Sequence, residues 1–167
     1  MVLKRVIVFV LVFVITGCSA VSYQPAGFRG GYSERQLDEQ IYRVNYFGNG
    51  SVKLEQTIDF IMLRSAVIAQ EQGEQYFNTY DYRTKVDKVD LGTPGVYAYK
   101  PTVYVTVSLL PDNEAKPISQ CERFSTLFEI AGMSKKAIKH VHKTLGCIDA
   151  IKAKYSLTEQ QVLGKSE

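Results

Sequence analysis

The chain has 167 residues, a formal charge of +3 and three cysteines but no tryptophan. Two of the basic residues, Lys4 and Arg5, lie in a short N-terminal leader, so the basic pI of about 8.7 does not describe the body of the protein. Without residues 1 to 17 the remaining 150 (167 less 17) carry 18 basic side chains (20 less 2) against 17 acidic ones, one domain's worth with almost no net charge, able to bury a core without depending on disulfides.

The leader places Lys4-Arg5 before an unbroken apolar run, Val6 to Ile15. That run is the length of a secretory h-region and about half the roughly 20 residues that a bilayer-spanning helix needs. It ends in Ile15-Thr16-Gly17-Cys18, which resembles the lipobox of bacterial lipoproteins. The resemblance implies that residues 1 to 17 are a signal peptide, that Cys18 takes a diacylglyceryl group on its thiol, and that cleavage makes it the first residue. Ser19 at the next position, rather than aspartate, implies an outer-membrane destination with the domain facing the periplasm. Ordinary secretory cleavage near Ser19-Ala20 is the alternative.

Residues 18 to 29 read as a lipidated tether, because glycine, proline and serine appear without periodicity, although Phe28 and Tyr32 have the means to pack on the domain. Residues 30 to 155 are expected to form a single globular domain and 156 to 167 a polar tail that frays. Tyr42, Val44 and Tyr46 alternate with Arg43 and Asn45, which predicts a half-buried strand ending at Gly48-Asn49-Gly50-Ser51. A helix follows over about 52 to 72, with Ser51 or a neighbour as N-cap and Gly73 as its stop. Ile58 to Ala69 is apolar on nearly every side, so this helix is expected to lie deep against a sheet, with Arg64 snorkelling or paired. Glu55 and Asp59, four residues apart, read as a solvated face.

Tyr76 to Thr84 predicts a second strand, residues 85 to 95 a loop, Val96 to Tyr99 a short extended entry and Thr102 to Leu109 the best strand of the chain. Residues 111 to 120 read as a loop, 120 to 131 as a short helix, and Ser134 to about Tyr155 as a basic helix with Ile138, Val141, Leu145, Ile148 and Ile151 on its apolar stripe. The fold class is therefore α/β or α+β: a small single sheet of three to four strands against one central helix, plus a basic C-terminal helix. The order strand, helix, strand would make the first two strands parallel if they are neighbours.

No recognisable catalytic motif is present: there is no GxSxG, no P-loop and no GxGxxG at a strand-to-helix turn. His140 and His142 are the only histidines, and two residues apart on a helix they would point about 200° from each other, unable to share a metal. No cofactor, metal or catalytic residue is expected, and the exported compartment excludes nucleic acid as a partner. With Cys18 spent on lipid, Cys121 and Cys147 remain as an even pair in an oxidising compartment, and a disulfide between them is expected. The basic segment, with Lys135, Lys136, Lys139 and Lys143 at its head, could meet an anionic surface; a solvated face is the plainer reading.

The run Gly30-Gly31-Tyr32-Ser33, Leu37-Asp38-Glu39, Tyr42-Arg43-Val44, Gly48-Asn49-Gly50, Leu63-Arg64-Ser65-Ala66 and Gly73 before Tyr76-Phe77 resembles a family of proteobacterial envelope lipoproteins without an assigned activity. The resemblance covers residues 30 to 77 and implies that Gly30 to Ser33 belong to the folded domain. The sequence departs from it at Val67, where the family pattern carries a glutamate. Three functions stay open: a non-enzymatic membrane-anchored lipoprotein that binds or scaffolds an envelope protein or polymer, a small-ligand or lipid-binding module, and a hydrolase whose site is assembled from distant residues.

Overall fold

The computed structural model describes residues 23–111, 121 and 140–164; the signal segment 1 to 17, Cys18, the loop and helix expected over 112 to 131 (Cys121 aside), and Lys135, Lys136 and Lys139 lie outside them. The described residues form an α+β fold: one antiparallel five-stranded sheet in the order β1-β2-β4-β3-β5, with three helices. The strands are β1 (Gly31–Asp38), β2 (Ile41–Phe47), β3 (Tyr76–Asp90), β4 (Tyr97–Leu110) and β5 (His140–Lys143). The helices are α1 (Leu54–Glu71), α2 (Thr144–Tyr155) and α3 (Glu159–Val162).

The alternation in residues 42 to 46 does place Tyr42, Val44 and Tyr46 in the core, where they face α1 together with Val103, Val105 and Val107 of β4. Every residue from Thr57 to Ala69 is buried, as the all-round apolar pattern requires. Gly73, at φ +79°, stops the helix in the left-handed region that glycine enters without strain, and Glu74 N–H closes the end on Ala69 O at 2.8 Å. The start lies slightly later than expected. Lys53 rather than Ser51 is the N-cap, and no side chain caps it.

Several expectations are corrected. β2 and β3 run in the same direction but are not neighbours, because β4 lies between them and pairs antiparallel with both. The helix therefore links two separated strands, and no right-handed crossover between neighbours is needed. The sheet has five strands rather than three or four. β1 escaped the period-2 reading because Glu34 to Asp38 are exposed on both faces, which leaves no alternation to see. The expected loop over 85 to 95 is strand as far as Asp90, and the segments expected on either side of Lys100-Pro101 are not split there but run as one strand, Tyr97–Leu110. Pro101 faces Val86 in the ladder and donates no hydrogen bond, while its carbonyl accepts from Gly48 N–H at 2.7 Å.

The basic C-terminal helix begins at Thr144, not Ser134, and residues 140 to 143 are strand β5 against β3. As far as Gly164, the residues after Tyr155 fold back onto the domain. Thr158 and Gln161 form a reciprocal capping box at the head of α3, which buries Val162. At the other end, packing starts before residue 30: Tyr23 is buried, its ring 4.8 Å from Tyr32 and 5.6 Å from Phe60. No described helix is long and apolar enough to cross a membrane.

Candidate functional site

Polar chemistry concentrates in three buried clusters and one exposed end. The first cluster joins α1 to its surroundings through Arg64. Its guanidinium lies 2.6 Å from Glu34 of β1 and 3.3 Å from Glu71, and 4.8 Å above the Tyr32 ring. Burial opposes its charge, but the Glu34 hydrogen bonds and the surrounding acids hold it more firmly protonated than a free arginine. The reading of Arg64 as a paired residue stands, and its role is to clamp an edge strand to the central helix.

The second cluster overturns the solvated reading of Asp59. Its side chain is 1 % exposed and accepts from Lys154 Nζ and Tyr155 OH of α2, each at 2.6 Å, while Lys154 also reaches Glu55 at 2.7 Å. Glu55 itself is exposed. Burial pushes the Asp59 carboxyl above the usual carboxylate range despite those two donors, and pushes the Tyr155 hydroxyl above the usual phenol range. Lys152 pairs with Glu159 of α3. Two lysines of the basic segment are therefore spent inside the fold. Lys143, exposed at the end of β5, rims a shallow recess with Gln70, Gly73 and Leu145.

The third cluster contains the two cysteines. Cys121 and Cys147 form a disulfide with Cα atoms 5.0 Å apart, within the range a bridge requires. His142 lies beside it on β5, stacked on Phe77, with Nε2 3.0 Å from Thr79 Oγ1 and Nδ1 3.6 Å from Cys121 Sγ. The helical argument against the histidines does not apply, since His140 and His142 are on a strand. One ligand atom each from Cys121, His142 and Cys147 lie within 4.8 Å of one another. The disulfide spends both thiolates, so that among the described residues this cluster offers a metal one imidazole alone.

Among the described residues the exposed end has only local pairs, Lys85 with Asp87 at 2.9 Å and Lys88 Nζ 3.5 Å over the Tyr97 ring. β2 pairs with β4 only as far as Thr102, so beyond that level β3 and β4 continue alone as a two-stranded ribbon over residues 85 to 101. Val86, Leu91, Val96, Tyr97 and Tyr99 are exposed on it. Sequence reasoning missed the β3 half of this element because Val86-Asp87-Lys88-Val89-Asp90 does not alternate with period 2 and sits in what composition marks as a loop. At the same end of the sheet a two-residue hairpin turn displays Phe28, which is fully exposed.

No family model matches the chain, and neither a curated protein nor a solved structure matches it.

Proposed function

We propose that this chain is a non-enzymatic envelope lipoprotein, held on the outer membrane by acyl chains on Cys18, whose periplasm-facing domain docks another envelope protein. The observation that carries the docking role is the β3–β4 ribbon, which leaves the sheet with five exposed large apolar side chains. Two strands without a covering layer gain little stability from staying extended, and apolar groups displayed there serve a partner better than they serve the fold. The buried clusters support the same reading: Arg64, Asp59 and His142 each meet protein partners rather than converging on an open cleft. A ligand-binding module finds less support, because the space between sheet and α1 is filled by Tyr46, Phe60, Met62 and Phe77.

The test is site-specific photocrosslinking in cells at Tyr99 and Leu91 on the ribbon and at Leu145 on α2. The expected result is an adduct of one defined mass from the two ribbon positions, absent at Leu145 and abolished by Leu91→Ser with Val96→Ser. Adducts from Leu145 equal to those from the ribbon, or none from any position, would sink the docking role.

A further inference from the structure

The N-terminal hairpin carries a feature that the core does not use. Ala26 N–H donates to Tyr32 O at 2.7 Å, Tyr32 N–H to Gln24 O at 2.9 Å, and Gly27 and Gly30 exchange two hydrogen bonds of 3.0 Å. Phe28 and Arg29 are thereby the two loop residues of a tight turn. Gly30 has φ +93°, and a Cβ there would lie 2.3 Å from Phe47 O, so the turn geometry depends on glycine. Asn49 Nδ2 pins the tip by donating to Arg29 O at 3.0 Å. A fixed turn thus holds a phenyl ring wholly in water beside an exposed guanidinium.

The chain before this turn says what covers it. Tyr23 is fixed in the core, and only five residue steps separate it from Cys18. Five steps span at most about 18 Å. A lipid on Cys18 therefore holds Tyr23, which stacks on Tyr32 near this end of the sheet, within about 18 Å of the bilayer surface. The loops at that end, residues 28–30 and 48–53, contain Arg29 and Lys53 and no acid, and the ribbon that leaves the sheet there adds Lys85, Lys88 and Lys100 against Asp87 and Asp90. Basic side chains near a surface are attracted to anionic headgroups, and a phenyl ring gains by entering the acyl boundary.

We infer that Phe28 and Arg29 form a second membrane contact, with the ring in the headgroup–acyl boundary of an anionic bilayer and the guanidinium among the phosphates. This rests on the lipid anchor proposed for Cys18. It orients the domain with the hairpin end toward the membrane.

The chain lacks tryptophan, so Phe28→Trp supplies a single reporter at the tip and Leu145→Trp one at the opposite end of the sheet. Both full chains are expressed, the acyl mass on Cys18 is measured, and the proteins are reconstituted in vesicles of phosphatidylethanolamine with phosphatidylglycerol. The expected result for Phe28→Trp is a blue-shifted emission that brominated acyl chains quench, with neither effect for Leu145→Trp. An acylated, vesicle-bound Phe28→Trp chain whose emission stays at its value in solution overturns the inference alone. Equal quenching in pure phosphatidylcholine vesicles overturns the anionic assignment. Absence of the acyl mass overturns the anchor, and this inference with it.

Discussion

Asp59 is the residue whose behaviour departs most from its local sequence. Four positions after Glu55 on one helix, it has the spacing of a solvated acid, yet α2 closes over it and Lys154 and Tyr155 bind the carboxylate. Nothing near Asp59 in the chain announces partners 95 and 96 residues away. Because burial raises its folded pKa above the unfolded value of about 3.9, the native state binds more protons between those two values. Asp59 therefore contributes stability that is fully present below the unfolded pKa and is lost as pH rises through the folded one. Glu55 and Asp81 act in the opposite sense. Hydrogen bonding and charge from Lys154 lower the Glu55 pKa, and for Asp81 the arginine partners Arg83 and Arg43 outweigh the opposing effect of desolvation. Removing the Asp59 contribution should leave theirs unopposed. Asp59→Asn is expected to lose stability more steeply than the parent as pH falls from about 6 to about 3, measured by urea midpoints across that range. A shallower slope would contradict the buried, raised carboxyl.

At the scale of elements, legibility follows the environment of each segment. β2 and the 102 to 109 part of β4 were readable because apolar residues of the core face alternate with polar or partly exposed ones on the other, which writes period 2 into the sequence. The body of α1 was readable because burial on all sides demanded an unbroken apolar run. β1 and the ribbon were not, since strands exposed on both faces carry no such record. β5 was hidden inside a lysine-rich stretch whose spacing also fits a helix, and only its pairing with residues 76 to 79 decides the matter. The same limit applies to the candidate surfaces: Cys18 is legible as a motif, whereas the display of Phe28 depends on backbone geometry that no side-chain pattern encodes. α3 supplies a test. If the capped helix holds the C-terminal segment on the core, Val162→Ala should lower stability by about 1 to 3 kcal/mol, read as a shift in denaturant midpoint at unchanged m. A fraying tail would show no shift.

For the molecule as a whole, the disulfide and the core act at different levels. Cys121 and Cys147 are 26 positions apart, and a bridge of that span restricts the unfolded chain enough to stabilise the fold by about 2 to 4 kcal/mol. The core of α1 and four strands does not depend on it. Reduction should therefore lower the unfolding free energy by about 2 to 4 kcal/mol while the far-UV spectrum stays native. Complete unfolding on reduction, or no change in stability, would each show that the bridge has a different weight.

The contact between α2 and α1 also sets a schedule. Lys154 meets an acid made 95 residues earlier, and Thr144 a carbonyl 70 residues back. At roughly 5 to 20 residues per second, the ribosome adds the intervening 95 residues in about 5 to 20 s. During that interval the sheet strands already made have a central helix with an uncovered flank, and β3 has no neighbour on its outer edge. The complete fold becomes available only when the last elements arrive, although β1 to β4 and α1 are all made by residue 110.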